Sequence, residues 1–149
     1  MNSTSDQPEI RRAHMRDAKA LKNCIDRAYS SAKARLPDLP DVSAGLREDI
    51  ADKVVFVAET SGLIAGVAIL GIENGNAHLA NIAVDPGQKG KGIGKALMET
   101  VQRFAKQQGA TELRLATHVG MPENVSLYTH LGWHETSRTG NKILMAKKL

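Results

Sequence analysis

Four glycines fall within eight residues of the segment VDPGQKGKGIGKALMET, which covers residues 84–100. Glycine destabilises a helix interior and adds conformational entropy to the unfolded chain, so a cluster of glycines beside a helix needs a separate reason. From Ile93 onward, apolar residues recur at three- and four-residue intervals, which predicts a helix over residues 93–108. The segment therefore predicts a strand, then a loop that a ligand approaches closely, then a helix.

The ligand that this loop favours is a phosphate group. The first turn of a helix has unpaired N–H groups and a partial positive charge, and glycines leave those amides uncovered. Lys89, Lys91 and Lys95 add positive charge around the same place. Three lysines also occur commonly on solvated surfaces, so the loop by itself is equally consistent with a simple tight connection.

Two familiar phosphate loops are excluded by the spacing. The Walker loop needs a hydroxyl after its Gly-Lys pair to hold magnesium, and here Ala96 follows Gly94 and Lys95. The dinucleotide fingerprint needs G-x-G-x-x-G, whereas GKGIGK spaces its glycines as G-x-G-x-G. The sequence therefore predicts a phosphate loop of a third kind.

Hydrophobic periodicity and turn signals predict one domain with the order β-α-α-β-β-β-α-β-α-β-β. The predicted strands cover residues 9–14, 54–59, 63–72, 76–84, 111–119, 133–138 and 142–149. The predicted helices run from Asp17 to the stops at Pro37 and Pro40, and over 44–52, 93–108 and 122–131. Asn74-Gly75 is a strong hairpin signal. The predicted fold class is α/β (α+β), a mixed and mainly antiparallel sheet flanked by helices. Residues 1–7 are predicted to be a flexible N-terminus and 8–149 the domain.

Composition narrows the class of partner. The chain has 149 residues, a net charge of +4 and a pI near 9.3, which suit a small polyanionic ligand. Nucleic acid is an unlikely partner because base stacking needs more aromatic surface than five side chains supply: Tyr29, Phe56, Phe104, Tyr128 and Trp133. The start lacks a secretory signal and the apolar runs are short, so a cytoplasmic location without membrane contact is expected. The single cysteine, Cys24, lies at helical spacing with apolar residues, which predicts a buried thiol and neither a disulfide nor a metal site.

Two segments together resemble the Gcn5-related N-acetyltransferases, the GNAT family. The stretch NIAVDPGQKGKGIGKALM resembles the acyl-coenzyme-A motif of that family, and ENVSLYTHLGW, one strand later, resembles its second cofactor motif. The resemblance covers the order of elements from about residue 8 to the C-terminus. It implies a GNAT-like fold and acetyl coenzyme A as the cofactor.

The resemblance also implies roles for individual residues. Main-chain groups of Ile82, Ala83 and Val84 would bind the pantetheine arm at a splayed strand end. The pyrophosphate would lie on the loop formed by Lys89, Gly90, Lys91, Gly92, Ile93, Gly94 and Lys95. Lys89 departs from the usual Gln or Arg and cannot offer a bidentate fork. Asn124 would contact the cofactor, and Tyr128 would protonate the departing thiolate.

The implied reaction is direct attack of an amine on a thioester, which needs a neutral amine. Many relatives place a Glu on a central strand as the base, whereas AHLANIAV and LRLATHV carry no carboxylate at their centres. His118, at a strand end, is the predicted base, with His78 and a water held by Asn81 as alternatives. His118 is also open to interpretation as a hydrogen-bonded loop anchor, and a desolvated amine can lose its proton to water directly.

The predicted function is an acetyl-coenzyme-A-dependent N-acetyltransferase acting on a primary amine of a small molecule or peptide. The alternative is a non-catalytic acyl-coenzyme-A-binding sensor or regulatory protein. In the fold that the resemblance implies, the segment after the first helix borders the acceptor groove, and here it contains Tyr29, Arg35, Asp38 and Asp41. The two aspartates either attract a cationic amine or belong to a solvated loop. Exposed sheet edges allow a homodimer.

Overall fold

The elements follow the predicted order in the computed structural model, which describes residues 8–39, 41 and 43–149. The predicted flexible segment 1–7 and the predicted stop at Pro40 lie outside the described residues. The strands are β1 (Glu9–Arg12), β2 (Val54–Thr60), β3 (Leu63–Glu73), β4 (Asn76–Val84), β5 (Glu112–His118), β6 (His134–Thr139) and β7 (Lys142–Lys148). The helices are α1 (Ala18–Arg35), α2 (Leu46–Asp52), α3 (Ile93–Gln107) and α4 (Pro122–His130), with short 3-10 turns at Met15–Asp17 and Pro86–Gln88.

The seven strands form one sheet in the order β1-β2-β3-β4-β5-β7-β6. Neighbouring strands are antiparallel except β4 and β5, which are joined through α3 and run parallel. The predicted hairpin is confirmed, because Asn74 and Gly75 both have positive φ, at 53° and 80°. The predicted fold class, a mixed and mainly antiparallel sheet flanked by helices, is confirmed.

Element ends differ from the predictions by one or two residues, each for a local reason. The strand predicted over 9–14 ends at Arg12, because the Asp17 carboxylate accepts a hydrogen bond from the His14 N–H at 2.7 Å and starts a helical turn. Helix α1 ends at Arg35, because Leu36 precedes Pro37 and a residue before proline disfavours helical geometry.

The helices cover both faces of the sheet. Buried side chains of α3, among them Leu97 and Val101, pack with the face that carries Leu70 and Leu113. On the opposite face Leu21 and Ile25 of α1 pack, together with α2, against β2 and β3. Cys24 is buried on α1 as predicted, and burial raises the pKa of its thiol to about 11. The thiol is therefore packed and protonated at neutral pH.

The sheet opens between β4 and β5. In the described part of the chain, these strands share two paired positions, Ala77 with Leu113 and His78 with Arg114. A bulge at Ala80 then disturbs β4, because Leu79 and Asn81 pair with consecutive residues of β3. The β5-facing edge of residues 82–84 therefore has no strand partner, and its main-chain groups face an opening.

A glycine without a side chain allows α3 to lie close to this opening. A Cβ atom at Gly66 of β3 would stand 2.9 Å from Ile93 Cγ2, 3.0 Å from Leu97 Cδ1 and 3.1 Å from the Ala83 carbonyl oxygen. Such distances are shorter than packed side chains tolerate. The start of α3 is consequently positioned by the absence of one side chain on the neighbouring strand.

We expect Gly66→Ala to lower the free energy of unfolding by about 1–3 kcal/mol, because the added methyl group overpacks the contact with α3. Gly71→Ala is the matched control, since its Cβ would lie on the same strand with its nearest neighbour at 3.8 Å. Urea unfolding followed by circular dichroism measures both variants. Equal stabilities of the two variants would contradict this account of α3 packing.

Candidate active site

Two cavities meet where β4 and β5 diverge. The first, of about 460 Å³, lies between the two strands, the α1–α2 loop and the β6–β7 turn. The second, of about 360 Å³, extends from the end of β4 to the start of α3 and to α4. Five residues line both cavities: Tyr29, Ile82, Met121, Asn124 and Tyr128. A molecule in one cavity can therefore contact a molecule in the other at this junction.

The second cavity collects most of the residues predicted to bind a cofactor. It is lined by Ile82, Ala83, Val84, Lys89, Gly94, Lys95, Asn124 and Tyr128. Four predicted loop residues do not line it: Gly90, Lys91, Gly92 and Ile93. Ile93 packs its side chain in the core, and Lys91 Nζ donates to Gln88 Oε1 at 3.1 Å. A role for these four in binding stays a prediction that rests on their backbone.

The loop ends at a helix start that can hold an anion. Gly92 is the N-cap of α3 with φ of 78°, a left-handed conformation that favours glycine. No side chain caps this end, and the Ala96 N–H makes the bond to the Gly92 carbonyl that begins the helical ladder. The amides of residues 93–95 therefore lack an acceptor within the helix. Lys89 and Lys95 line the second cavity near these amides and add positive charge there.

An ion pair that the sequence did not predict holds the entry of the loop. Asp85 Oδ1 accepts a hydrogen bond from the Gly87 N–H at 3.0 Å, and Oδ2 accepts from Arg27 Nη2 at 2.6 Å and Nε at 2.9 Å. Burial alone would raise the pKa of Asp85, but these hydrogen bonds lower it below its ordinary value. Because Arg27 and Asp85 are 58 residues apart, sequence spacing carried no signal for this contact.

Tyr128 lies at the junction with its phenol protonated. Its side chain is 8% exposed, and its ring packs against Trp133 with 5.9 Å between ring centroids. Burial, together with the neighbouring Tyr29, raises the pKa of Tyr128 well above its ordinary value. A neutral phenol between two cavities can donate a proton to a group that becomes basic during a reaction.

His118 is held by hydrogen bonds on both ring nitrogens. Its Nδ1 accepts from the Gly120 N–H at 2.9 Å, so the proton of the neutral ring is on Nε2, which donates to Asp38 Oδ2 at 3.0 Å. Asn141 Nδ2 donates to the same carboxylate oxygen. This arrangement connects the end of β5, the α1–α2 loop and the β6–β7 turn, as the loop-anchor interpretation of His118 expects.

The other candidates for the base differ in position. His78 lies on β4 where β4 pairs with β5, outside the residues that line the two cavities, and burial lowers its pKa. Asn81 is buried on β4, lines the first cavity and accepts a hydrogen bond from the Tyr29 hydroxyl at 3.1 Å. The sequence placed Tyr29 in the segment beside the acceptor groove, but nothing in the local pattern predicted this pairing.

Two further findings concern metal ligands and membrane-spanning helices. Among the described residues, no group of three or more His, Cys, Asp or Glu side chains could hold a metal ion. Within the same ranges, no helix combines the length and apolar composition that crossing a membrane requires.

Two named acetyltransferases are similar to this chain in sequence. The chain is 36% identical over 97 residues to the streptothricin acetyltransferase of Streptomyces lavendulae, covering 62% of this chain and 51% of that protein. It is 32% identical over 82 residues to the ribosomal protein bS18-alanine N-acetyltransferase of Escherichia coli K12, covering 55% of each. The chain spans about half the length of the curated relatives it matches.

The fold is shared with a solved acetyltransferase. The PaiA N-acetyltransferase of Thermoplasma acidophilum, crystallised in complex with coenzyme A, superimposes with a TM-score of 0.86 at 21% identity, covering 95% of this chain and 99% of that one. The sequence model of the acetyltransferase (GNAT) family matches residues 19–133. This chain therefore belongs to the acetyltransferase (GNAT) family.

Proposed function

We propose that this protein is an N-acetyltransferase that transfers an acetyl group from acetyl coenzyme A to a primary amine of a small molecule or peptide. The observation that carries the proposal is the meeting of two cavities at Tyr128. One leads to a helix start suited to phosphate, and the other is bordered by the α1–α2 loop. A transferase needs such a junction, because donor and acceptor must approach each other from separate sites.

The second cavity is the proposed donor site. The unpaired β4 edge at Ile82, Ala83 and Val84 binds the amides of the pantetheine arm, and Asn124 contacts the same arm. The loop and the first turn of α3 bind the pyrophosphate through backbone amides, with Lys89 and Lys95 supplying charge. The coenzyme A complex of the PaiA N-acetyltransferase supports this placement by its shared fold.

In the proposed reaction the amine nitrogen attacks the thioester carbonyl carbon, so that an N–C bond forms and the C–S bond breaks. A backbone N–H near Val84 stabilises the oxyanion of the tetrahedral intermediate. Tyr128 donates its proton to the sulfur as the thiolate leaves. Raising the pKa of Tyr128 by burial serves this role, because the phenol must stay protonated until the sulfur becomes basic.

The amine must also lose a proton, and His118 is the residue to test as its acceptor. The lone pair of the neutral ring faces the Gly120 N–H, so His118 can act as base only if that hydrogen bond opens. Loss of the proton to water, including water near Asn81, requires no such opening. We therefore favour water as the first acceptor of the proton, and His118 as an anchor that holds the α1–α2 loop to the end of β5.

The acceptor is an amine that fits the first cavity, whose lining mixes apolar side chains with polar ones such as Asp38 and Asn81. Relatives are named for an alanine of a ribosomal protein and for the small molecule streptothricin, so both peptide and small-molecule amines are candidates. A cytoplasmic location and a homodimer stay predictions from the sequence. A sensor that binds acetyl coenzyme A without transferring the acetyl group is the alternative, and turnover distinguishes it from the enzyme.

Gly94→Glu tests the donor site. Gly94 lines the second cavity in the first turn of α3, where a Cβ meets Val84 Cγ2 at an ordinary 3.5 Å, so the variant should fold. We expect wild-type protein to bind acetyl coenzyme A in calorimetry and Gly94→Glu to weaken that binding at least tenfold, since its carboxylate repels phosphate.

Gln102→Glu, which adds the same charge farther along α3, is the control and should bind as the wild type does. Absence of binding by the wild type would sink the donor-site proposal. If both variants bind acetyl coenzyme A equally well, the pyrophosphate does not bind at the start of α3.

Arg27→Ala tests whether the ion pair with Asp85 supports the loop. An exposed ion pair contributes roughly 0.2–1 kcal/mol, so we expect the dissociation constant for acetyl coenzyme A to rise about one and a half- to fivefold. Lys22→Ala removes another ion pair of α1, with Asp26, in which the lysine is about as exposed as Arg27, and it should leave that constant unchanged. Identical constants for the two variants would show that the pair does not position the loop.

Tyr128→Phe tests the proton donor. Because the ring and its packing remain, we expect affinity for acetyl coenzyme A to stay within about twofold while kcat falls about 10- to 100-fold. Thiol release in the presence of an accepted amine gives kcat, and calorimetry gives the affinity. Ser126→Ala removes an exposed hydroxyl of the same helix and should change neither. Unchanged kcat in Tyr128→Phe would remove the hydroxyl from the mechanism.

A further inference from the structure

Tyr29 occupies a position that the proposed reaction has not used. It lies on α1, more than one turn before the end of that helix at Arg35, and it lines both cavities. Tyr128 lines the same two cavities, so both phenols border the junction. At this position the Tyr29 side chain would contact an amine that extends from the first cavity towards the second, where the donor is proposed to bind.

The hydroxyl of Tyr29 has a fixed direction. It donates to Asn81 Oδ1 at 3.1 Å, across 52 residues of sequence, and Asn81 itself is only 8% exposed. A phenol has one proton and two acceptor lone pairs. Because the hydroxyl donates its proton to Asn81, the Tyr29 oxygen can only accept a hydrogen bond from a ligand in the cavity.

The phenol also keeps that proton. Burial raises the pKa of Tyr29 above its ordinary value, so the hydroxyl stays neutral through the pH range in which enzymes work. Asn81 in turn lies directly after the bulge at Ala80, on the strand edge that faces the opening. The pair therefore presents a neutral acceptor oxygen at a defined place in the wall.

We propose that Tyr29 orients the attacking amine by accepting a hydrogen bond from one of its N–H groups, with Asn81 holding the phenol in the accepting direction. A neutral primary amine has two N–H donors and one lone pair, so engaging one N–H restricts where the lone pair points. Tyr29 thereby selects acceptors that carry an N–H on the reacting atom. This inference rests on the proposed acetyltransferase function.

The different hydrogen bonds of Tyr29 and Tyr128 suit them to different roles in the proposed reaction. Tyr29 donates its proton to Asn81, which leaves only its oxygen lone pairs for a ligand in the cavities. Within the described part of the chain the Tyr128 hydroxyl donates to no protein group, which leaves its proton available to the leaving sulfur. One phenol therefore accepts from the nucleophile, and the other donates to the leaving group.

The test is Tyr29→Phe, which removes one oxygen and keeps the ring. Acetylation is followed by thiol release with four amine probes: a hexapeptide with N-terminal alanine, streptothricin, spermidine and benzylamine. We expect kcat/KM for every probe that the wild type accepts to fall about 3- to 10-fold, as loss of one neutral hydrogen bond predicts. The KM for acetyl coenzyme A and its calorimetric affinity should stay within about twofold.

Ser30→Ala is the matched control. It removes a hydroxyl from the next position of α1, where Ser30 Oγ bonds the Arg27 carbonyl oxygen, and it should alter none of these constants. The melting temperature of both variants is measured alongside, because a purely structural role of Tyr29 would lower Tm and weaken cofactor affinity together.

Each result separates the orienting role from the proposed function. Wild-type turnover with an unchanged kcat/KM in Tyr29→Phe overturns the orienting role and leaves the acetyltransferase proposal intact. Parallel losses of Tm, cofactor affinity and turnover in Tyr29→Phe also overturn it, in favour of packing. A wild-type protein that binds acetyl coenzyme A but acetylates none of the four probes overturns both proposals and favours the sensor.

Discussion

The short pairing between β4 and β5 is the constraint on which the site depends. After two paired positions the ladder stops, and the bulge at Ala80 turns the remainder of β4 away from regular pairing. Both cavities occupy the space that results. Residues 82–84 pair with β3 on one side, and among the described residues no strand pairs with their other edge, which faces the cavities. An unpaired backbone edge inside a protein is costly unless a ligand or water satisfies it, so this opening is itself an argument for a binding site.

Helix α1 contributes residues to both cavities from a fixed position on the sheet. Leu21 and Ile25 are buried beneath the sheet, which fixes the helix against β2 and β3. From this fixed position Arg27 contacts the entry of the glycine-rich loop, Tyr29 lines the junction, and Arg35 donates to the Gly120 carbonyl oxygen at 3.2 Å. A shift of one rigid helix would therefore change the proposed donor site and the proposed acceptor site together.

Local signals predicted the elements because each signal acts within a few residues. The 3.6-residue period located α3, and the Asn74-Gly75 turn located the hairpin between β3 and β4. The resemblance, which rests on the loop and on the segment around Tyr128, assigned roles to residues of which eight line one cavity in the structure. The first strand was predicted two residues too long because the carboxylate of Asp17 competes for the backbone there, which a pattern of apolar residues does not register.

The sequence by itself determined the order of elements, the family and most of the proposed donor site, since these depend on periodicity and on motifs of contiguous residues. The tertiary structure decided which distant side chains meet: Arg27 with Asp85, Tyr29 with Asn81, and His118 with Asp38. These pairs are separated by 52 to 80 residues, so no local pattern encodes them. Their contacts form only when α1 and its following loop pack on the sheet, because burial and hydrogen-bond geometry are properties of the folded chain.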